Sequence, residues 1–302
     1  MFSWAAKYAL IGDWVKSDAM KLFPSLPPRL RLFFCLLLAV LALSELIYWA
    51  MHRDGIAFAI EGYRILHLLQ MASLLIFACW CWYRIRQSAA IPVAERALWL
   101  NASTAIGIAL LLSFGGDLIN SFLFDLSALM QPQTLLSVPF FLVAHLLYIS
   151  AFWRFTHSTE RGRSMGWRLV RNPMLLAWPL LAGLLWNWVV SPEAGTLMRG
   201  LSGVYALVVV LMAITSLWVW FCRGMAFSTI AIGGMLFLAS DALLGSYLLQ
   251  GPDRPFWASQ LIWISYFLAQ MCFVSILLRS GMLLPSPAVS STGHGEQGHA
   301  DD

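Results

Sequence analysis

Apolar runs long enough to cross a lipid bilayer recur along almost the whole chain, and they constrain its fold more than any other feature. A membrane-spanning helix needs about 20 apolar residues, and inside a bilayer every backbone N–H and C=O group must be paired within the protein. The runs lack the alternation of barrel strands and are about twice as long as a spanning strand, so they predict helices. The expected spans are Leu32–Met51, Ile65–Tyr83, Leu100–Asn120, Leu136–Trp153, Met174–Val190, Met198–Phe221, Phe227–Leu249 and Phe256–Leu278.

Composition supports a membrane protein, because 60% of the 302 residues are hydrophobic and only 11% are charged. A soluble domain carries about 25% charged residues. We therefore predict an all-α, polytopic protein in which about eight transmembrane helices over residues 31–280 form a single bundle. Residues 1–30 are expected to form a cytoplasmic or interfacial extension. Residues 281–302 are small, polar and rich in Pro, Gly and Ser, and such a composition predicts a disordered tail.

The 19 Lys and Arg residues are distributed unevenly between alternate connections. With a cytoplasmic N-terminus, most of them fall on the cytoplasmic side, as the positive-inside rule predicts. We expect both termini in the cytoplasm and a multi-pass location in the plasma membrane, which would be the inner membrane of a bacterium. The basic residues are dispersed over short connections, so we expect no nucleic-acid partner.

Ionisable side chains inside the spans are few. An acid at the centre of a spanning helix costs roughly 2.5–3.5 kcal/mol and usually marks a functional site. Counting residues at about 1.5 Å of rise each places these groups at overlapping depths in the outer half of the bilayer, which predicts a polar cavity entered from the extracytoplasmic side. Glu45 and His67 lie near span ends, where contact with water also accounts for them. The other intramembrane groups are Asp117, His145 and Asp241, with Ser113, Tyr148, Tyr205, Ser240, Tyr266 and Gln270 as softer polar neighbours.

Five segments that carry these polar groups occur in a characteristic order. They are LLLSFGGD (110–117), AHLLYISAF (144–152), VYALVVVLMA (204–213), GGMLFLASDALL (233–244) and YFLAQ (266–270). Together they resemble the YhhN family of integral membrane lysoplasmalogenases, over roughly residues 60–280. The chain departs from the family at the start of the second span, where members commonly carry Lys-Pro and this chain reads YRILHLLQ.

The resemblance implies an intramembrane hydrolase that cleaves the vinyl ether of a lysoplasmalogen into a fatty aldehyde and a glycerophosphocholine or glycerophosphoethanolamine. Residues 31–280 would then be the catalytic domain, and the partners would be the lysophospholipid substrate and the bilayer. Such chemistry needs one carboxyl group that donates a proton and a second that stabilises the cation or activates water, as in glycosidases. Low dielectric and a neighbouring acid both favour the protonated form of a carboxyl group.

Our hypothesis is that Asp117 and Asp241 form the catalytic pair, without a metal or other cofactor and without an assignment of acid and base. The residues expected to orient the carboxyl groups, bind water or hold the glycerophosphate are Ser113, His145, Tyr148, Tyr205, Ser240, Tyr266 and Gln270.

Two alternatives remain open on the residues alone. His67 and His145 with the two aspartates are the ligand types of a zinc-dependent lipid hydrolase, since a catalytic zinc takes three protein ligands and a water. Acids in spans also serve proton relays, so a non-enzymatic lipid or ion transporter or a receptor is the second alternative. Substrate turnover by the purified protein separates these classes.

Overall fold

The computed structural model describes residues 28–53, 57–89, 91–121, 124, 126–129, 133–157, 165–190, 195–250 and 257–280. These residues form eight α-helices, with short 3₁₀ segments beside α4, α7 and α8 and no strand in the described part. The helices are α1 (Pro28–Arg53), α2 (Ala57–Gln87), α3 (Val93–Asn120), α4 (Val138–His157), α5 (Met165–Val189), α6 (Thr196–Arg223), α7 (Ser228–Gln250) and α8 (Trp257–Ser275). The predicted extension and tail lie largely outside the described residues, so they stay predictions.

The prediction of an all-helical polytopic membrane protein is confirmed. Among the described residues, seven helices are long and apolar enough to cross a membrane, and they are α1–α4 and α6–α8. The remaining predicted span, Met174–Val190, coincides with the second half of α5, which packs against α6 and α7. The side of the membrane on which the termini lie stays a prediction.

Among the side chains that the structure describes, those of the main core come from every helix except α5. Its largest buried side chains are aromatic and aliphatic residues of α1–α4 and α6–α8, whereas α5 contributes Ala182 to a separate small cluster with Val210 and Ile214 of α6. Successive helices run antiparallel. The C-terminal ends of α1, α3, α5 and α7 therefore lie beside the N-terminal ends of α2, α4, α6 and α8, and we call this the site end of the bundle.

Glycines set the spacing between neighbouring helices. A β-carbon built on Gly116 of α3 would lie 2.7 Å from the Phe141 ring of α4. One built on Gly234 of α7 would overlap the Ser216 hydroxyl of α6 and lie 3.3 Å from the Ala213 Cα. Small residues let helix backbones approach closely in membranes. The role that the structure gives these glycines is thus helix packing.

We expect Gly234→Ala to destabilise the bundle, because overpacking a tight contact costs about 1–3 kcal/mol. The apparent melting temperature of the purified protein in detergent should fall. The matched control is Gly107→Ala, since a β-carbon at Gly107 of α3 meets no atom within 4 Å. Equal melting temperatures for the two variants would contradict the packing role of Gly234.

Candidate active site

Asp117 and Asp241 line one cavity of about 360 Å³ at the site end of the bundle. Small-molecule sites are typically clefts of roughly 300–1,000 Å³, so the cavity is large enough to hold part of a lipid. Helices α1, α2, α3, α4, α7 and α8 contribute side chains to it. The lining residues are Tyr48, Tyr63, Arg64, His67, Leu68, Asp117, Asn120, Ser121, Phe141, Ser240, Asp241, Leu244, Ser259, Ile262, Trp263 and Tyr266.

Asp117 lies one turn before the end of α3 and is held by a phenol from another helix. The Tyr266 hydroxyl of α8 donates a hydrogen bond of 2.8 Å to Asp117 Oδ2. The aspartate is 8% exposed and Tyr266 is 5% exposed, so the pair is nearly closed off from bulk solvent. A single strong donor leaves the second carboxyl oxygen of Asp117 available to a ligand or water in the cavity.

Asp241 on α7 has two protein groups beside the same oxygen. The Tyr205 hydroxyl of α6 donates to Asp241 Oδ2 at 3.0 Å. His145 Nε2 of α4 lies 3.1 Å from that oxygen, which is ion-pair distance, although the contact lacks hydrogen-bond alignment. The His145 side chain is completely buried. A phenol and an imidazole therefore hold one edge of the carboxyl group and leave its other edge toward the cavity.

The backbone around His145 determines which ring nitrogen carries hydrogen. His145 Nδ1 contacts the carbonyl oxygen of Phe141 one turn earlier, and a carbonyl oxygen can only accept. Nδ1 therefore holds a hydrogen, and Nε2 holds one only when the ring is an imidazolium. Nε2 is therefore the ring nitrogen that faces the Asp241 carboxyl group.

Three of the predicted residues form a layer behind the aspartates. Tyr148 of α4 donates to Gln270 Oε1 of α8 at 2.5 Å, and both side chains are fully buried. Ser113 is also buried and lies beside the Tyr148 phenol. Gln270 in turn neighbours Tyr266. None of the three lines the cavity, so this layer supports Tyr266 and, through it, Asp117.

The predicted residues thus separate into three positions. Asp117, Asp241, Ser240 and Tyr266 line the cavity, where the Ser240 hydroxyl donates to the Ile262 carbonyl at 2.9 Å. His145 and Tyr205 contact Asp241, and Ser113, Tyr148 and Gln270 form the buried layer.

A second part of the cavity was only partly foreseen from the sequence. We call it the α2 wall, formed by Tyr63, Arg64 and His67 of α2 with Trp263 of α8. Glu45 of α1 lies behind it and accepts from the Tyr63 hydroxyl at 3.0 Å, with His67 Nε2 3.3 Å from its Oε1.

The His67 ring stacks on the Trp263 ring, with centroids 3.8 Å apart. The Trp263 indole donates to Gln70 Oε1 at 3.1 Å. Sequence reasoning identified Glu45 and His67 but did not identify Tyr63, Arg64 or Trp263. The spacing of the α2 residues is the sequence signal that could have identified them. Positions 63 and 67 are four residues apart and positions 64 and 67 are three apart, so they lie on one face of the helix.

The residues named for a zinc site do not come together as one ligand set. His67 lies with Glu45, whereas His145 lies with Asp241. No group of three His, Cys, Asp or Glu side chains in the described part of the chain is arranged to hold a metal ion.

Asp241 also borders a second, apolar cavity of about 50 Å³ between α5, α6 and α7, which we call the apolar cleft. Except for Ser202, Tyr205 and Asp241, its lining is almost entirely hydrocarbon or aromatic. Asp241 lines both cavities and so lies at the junction of a polar space and an apolar one. The lining residues are Leu185, Trp186, Val189, Val190, Ser202, Tyr205, Ala206, Val209, Asp241, Ala242 and Gly245.

Comparison with known proteins identifies a protein family. The model of the YhhN family matches residues 63–277, and no curated protein and no solved structure matches the chain. The matched region contains both aspartates, their phenol and imidazole neighbours and the α2 wall. Because the match covers more than half of the chain, this protein belongs to the YhhN family.

Proposed function

We propose that the protein is a lysoplasmalogenase that hydrolyses the vinyl ether of a lysophospholipid inside the membrane. The observation that carries the proposal is the position of the two carboxyl groups. Asp117 and Asp241 line one polar cavity, and only Asp241 of the two also borders the apolar cleft. A lysoplasmalogen has the same arrangement, with a polar head group on one side of the vinyl ether and a hydrocarbon chain on the other.

On the basis of this arrangement we assign the role of acid to Asp241. The carbon that is protonated belongs to the hydrocarbon side of the ether, and Asp241 lies on the side of the apolar cleft. Proton transfer from its carboxyl group to that carbon converts the carbon–carbon double bond to a single bond and leaves an oxocarbenium ion. The proton that Asp117 takes from water in the next step returns to Asp241 through water in the cavity and restores the acid. His145 Nε2, 3.1 Å from the carboxyl oxygen, positions that carboxyl group, and this is the role we assign to the histidine.

Asp117 is the base in this scheme. It lines the polar cavity, which is large enough to hold water beside the substrate, and the Tyr266 phenol donates to its carboxylate form. Asp117 takes a proton from water as the water oxygen bonds to the oxocarbenium carbon. The resulting hemiacetal loses the glycerol oxygen as an alcohol and becomes a fatty aldehyde. Two carboxyl groups divide these roles across a similar transition state in glycosidases.

The decisive experiment compares two lipids that differ only in the double bond. Purified protein in detergent is given an alkenyl lysophospholipid or its saturated alkyl analogue, and products are measured by mass spectrometry. We expect stoichiometric fatty aldehyde and glycerophospho compound from the first lipid only, because a saturated ether cannot accept the proton at carbon. Absence of aldehyde from a folded, lipid-binding protein would refute the function.

The apolar cleft predicts a dependence on chain length. We expect Gly245→Leu to lower kcat/KM for a hexadecenyl substrate about 10-fold and to leave a butenyl substrate nearly unchanged, since each excluded CH₂ contributes about 0.8 kcal/mol. A β-carbon at Gly245 would already lie 2.9 Å from Val189 Cγ1, whereas Gly183 of α5 meets nothing within 4 Å and supplies the control Gly183→Leu. Equal losses of kcat/KM on both substrates would show that the hydrocarbon chain of the substrate does not bind in the apolar cleft.

A further inference from the structure

Arg64 brings a cation to the cavity that contains the two aspartates. Among the described residues that line this cavity it is the only Lys or Arg. An ionisable side chain directed at an interior space within a membrane protein is costly and usually faces a partner of opposite charge or a substrate. The proposed reaction uses Asp117 and Asp241 but assigns no role to Arg64.

Arg64 lies near the start of the candidate membrane span of α2, Gly62–Gln87, which is the part of a span nearest to lipid head groups. Arg64 follows the first residue of α2, Ala57, by two helical turns, which places it about 10 Å from the site end of the bundle at 1.5 Å per residue. Head groups occupy the outer layers of a bilayer whose hydrocarbon core is about 30 Å thick. A guanidinium at this depth can meet a head group while its aliphatic stem stays in apolar surroundings.

Ring contacts and hydrogen bonds hold the surrounding α2 wall in place. Tyr63 is held between Glu45, which accepts from its hydroxyl, and Tyr48, whose ring stacks on it at 4.1 Å between centroids. His67, one turn after Tyr63, is held between Glu45 and the Trp263 ring. Arg64 lies between these two anchored residues, so the backbone that carries the guanidinium has little freedom to move away from the cavity.

Guanidinium chemistry identifies the ligand. Arginine presents five N–H donors in a planar fork and binds phosphate oxygens bidentately. In a lysophospholipid the three-carbon glycerol separates the phosphate from the ether oxygen. A phosphate held at Arg64 would therefore leave the ether within the same cavity, which the carboxyl groups of Asp117 and Asp241 also line.

We infer that Arg64 binds the phosphodiester of the lysophospholipid head group and thereby positions the ether at the aspartates. The inference rests on the lysoplasmalogenase function proposed above. Other residues were expected from the sequence to hold the glycerophosphate. The inference gives that role to Arg64 of the α2 wall instead. Tyr148 and Gln270, for example, are fully buried behind the cavity.

The test uses an alkenyl lysophosphocholine and an alkenylglycerol, which has the same vinyl ether and chain but a hydroxyl group in place of the phosphodiester. Wild-type protein should prefer the phospholipid. Arg64→Gln should lower kcat/KM for the phospholipid about 10- to 100-fold, the loss expected for a hydrogen bond to a charged group. For the alkenylglycerol the change should be under about 3-fold, and Arg64→Lys should be intermediate on the phospholipid.

The matched control is Arg84→Gln, which removes the same charge from an exposed position on the same helix and should change neither substrate. Equal losses on both substrates for Arg64→Gln would show a structural role and overturn the inference. If Arg64→Gln does not fold, the inference is tested by the activity of Arg64→Lys and by the preference of the wild-type protein for the phospholipid over the alkenylglycerol. A wild-type protein without that preference also overturns the inference.

Binding separates this inference from the proposed function. The saturated alkyl lysophosphocholine cannot be cleaved, and its affinity for wild type should exceed that of the alkylglycerol about 10-fold. Arg64→Gln should abolish the difference. If Arg64→Gln abolishes the difference in affinity but no aldehyde is released, the proposed enzymatic function is wrong and the head-group site is supported. If aldehyde is released and Arg64→Gln does not change its rate, the enzymatic function is supported and the head-group site at Arg64 is wrong. Inorganic phosphate should not compete; full competition would identify a free-phosphate site and overturn the assignment to a lipid.

Discussion

We expect Asp241→Asn to lower the rate of aldehyde release from an alkenyl lysophospholipid at least about 100-fold, because a positioned general acid contributes about 10²–10⁴-fold. The carboxamide has nearly the same shape and can still accept from the Tyr205 hydroxyl, 3.0 Å from the native Oδ2. It cannot donate a proton to carbon. Single-turnover mass spectrometry with excess protein measures the chemical step without product release.

The control is a change of the same kind outside the cavity. Glu95 is an exposed acid in the first turn of α3, so Glu95→Gln should keep full activity. Melting temperature and binding of the saturated alkyl lysophospholipid establish that the Asp241→Asn protein is folded. Wild-type rates in a folded Asp241→Asn protein would remove this residue from the mechanism.

We expect Asp117→Asn to cause a loss of similar size by a different route, because it removes the base that activates water. The two variants should differ in the step that they slow. In D₂O, Asp117→Asn should let the oxocarbenium ion form and revert, so the recovered alkenyl lipid gains deuterium at the protonated carbon, whereas Asp241→Asn should give no such exchange. Mass spectrometry of the recovered lipid measures the label, and the opposite pattern would exchange the roles of the two aspartates.

The double variant tests whether the aspartates act together. Removal of either member of a catalytic unit costs nearly as much as removal of both, so the combined loss should be much smaller than the product of the single losses. Multiplicative losses would indicate two independent effects. If both single variants fold and retain full aldehyde release, the pair is not catalytic.

The fold could be predicted from the sequence because a bilayer leaves the backbone few alternatives. The predicted span Leu136–Trp153 corresponds to α4, Val138–His157. The largest difference is at α2, where the predicted span Ile65–Tyr83 is the central part of a helix over Ala57–Gln87. Apolar composition marks the segment within the hydrocarbon, whereas i→i−4 hydrogen bonds continue through Arg84 and into the interfacial region.

Parts of the candidate site could be predicted for the same local reason. Ser113 and Asp117 are four residues apart, as are Tyr266 and Gln270, and this spacing places each pair on one face of its helix. The pairing between helices could not be predicted. Nothing in the sequence distinguishes Tyr266 as the partner of Asp117 from Tyr205 as the partner of Asp241.

The sequence by itself determined the helices, the membrane as their solvent and the few polar side chains inside the spans, because these follow from composition and from spacing along one chain. Only the tertiary structure decided which groups meet. The contacts between helices set the rotation of each one about its own axis, as Gly116 does against the Phe141 ring. That rotation brings Asp117 and Asp241 to a common cavity, places Asp241 beside the apolar cleft and adds Arg64 to the wall.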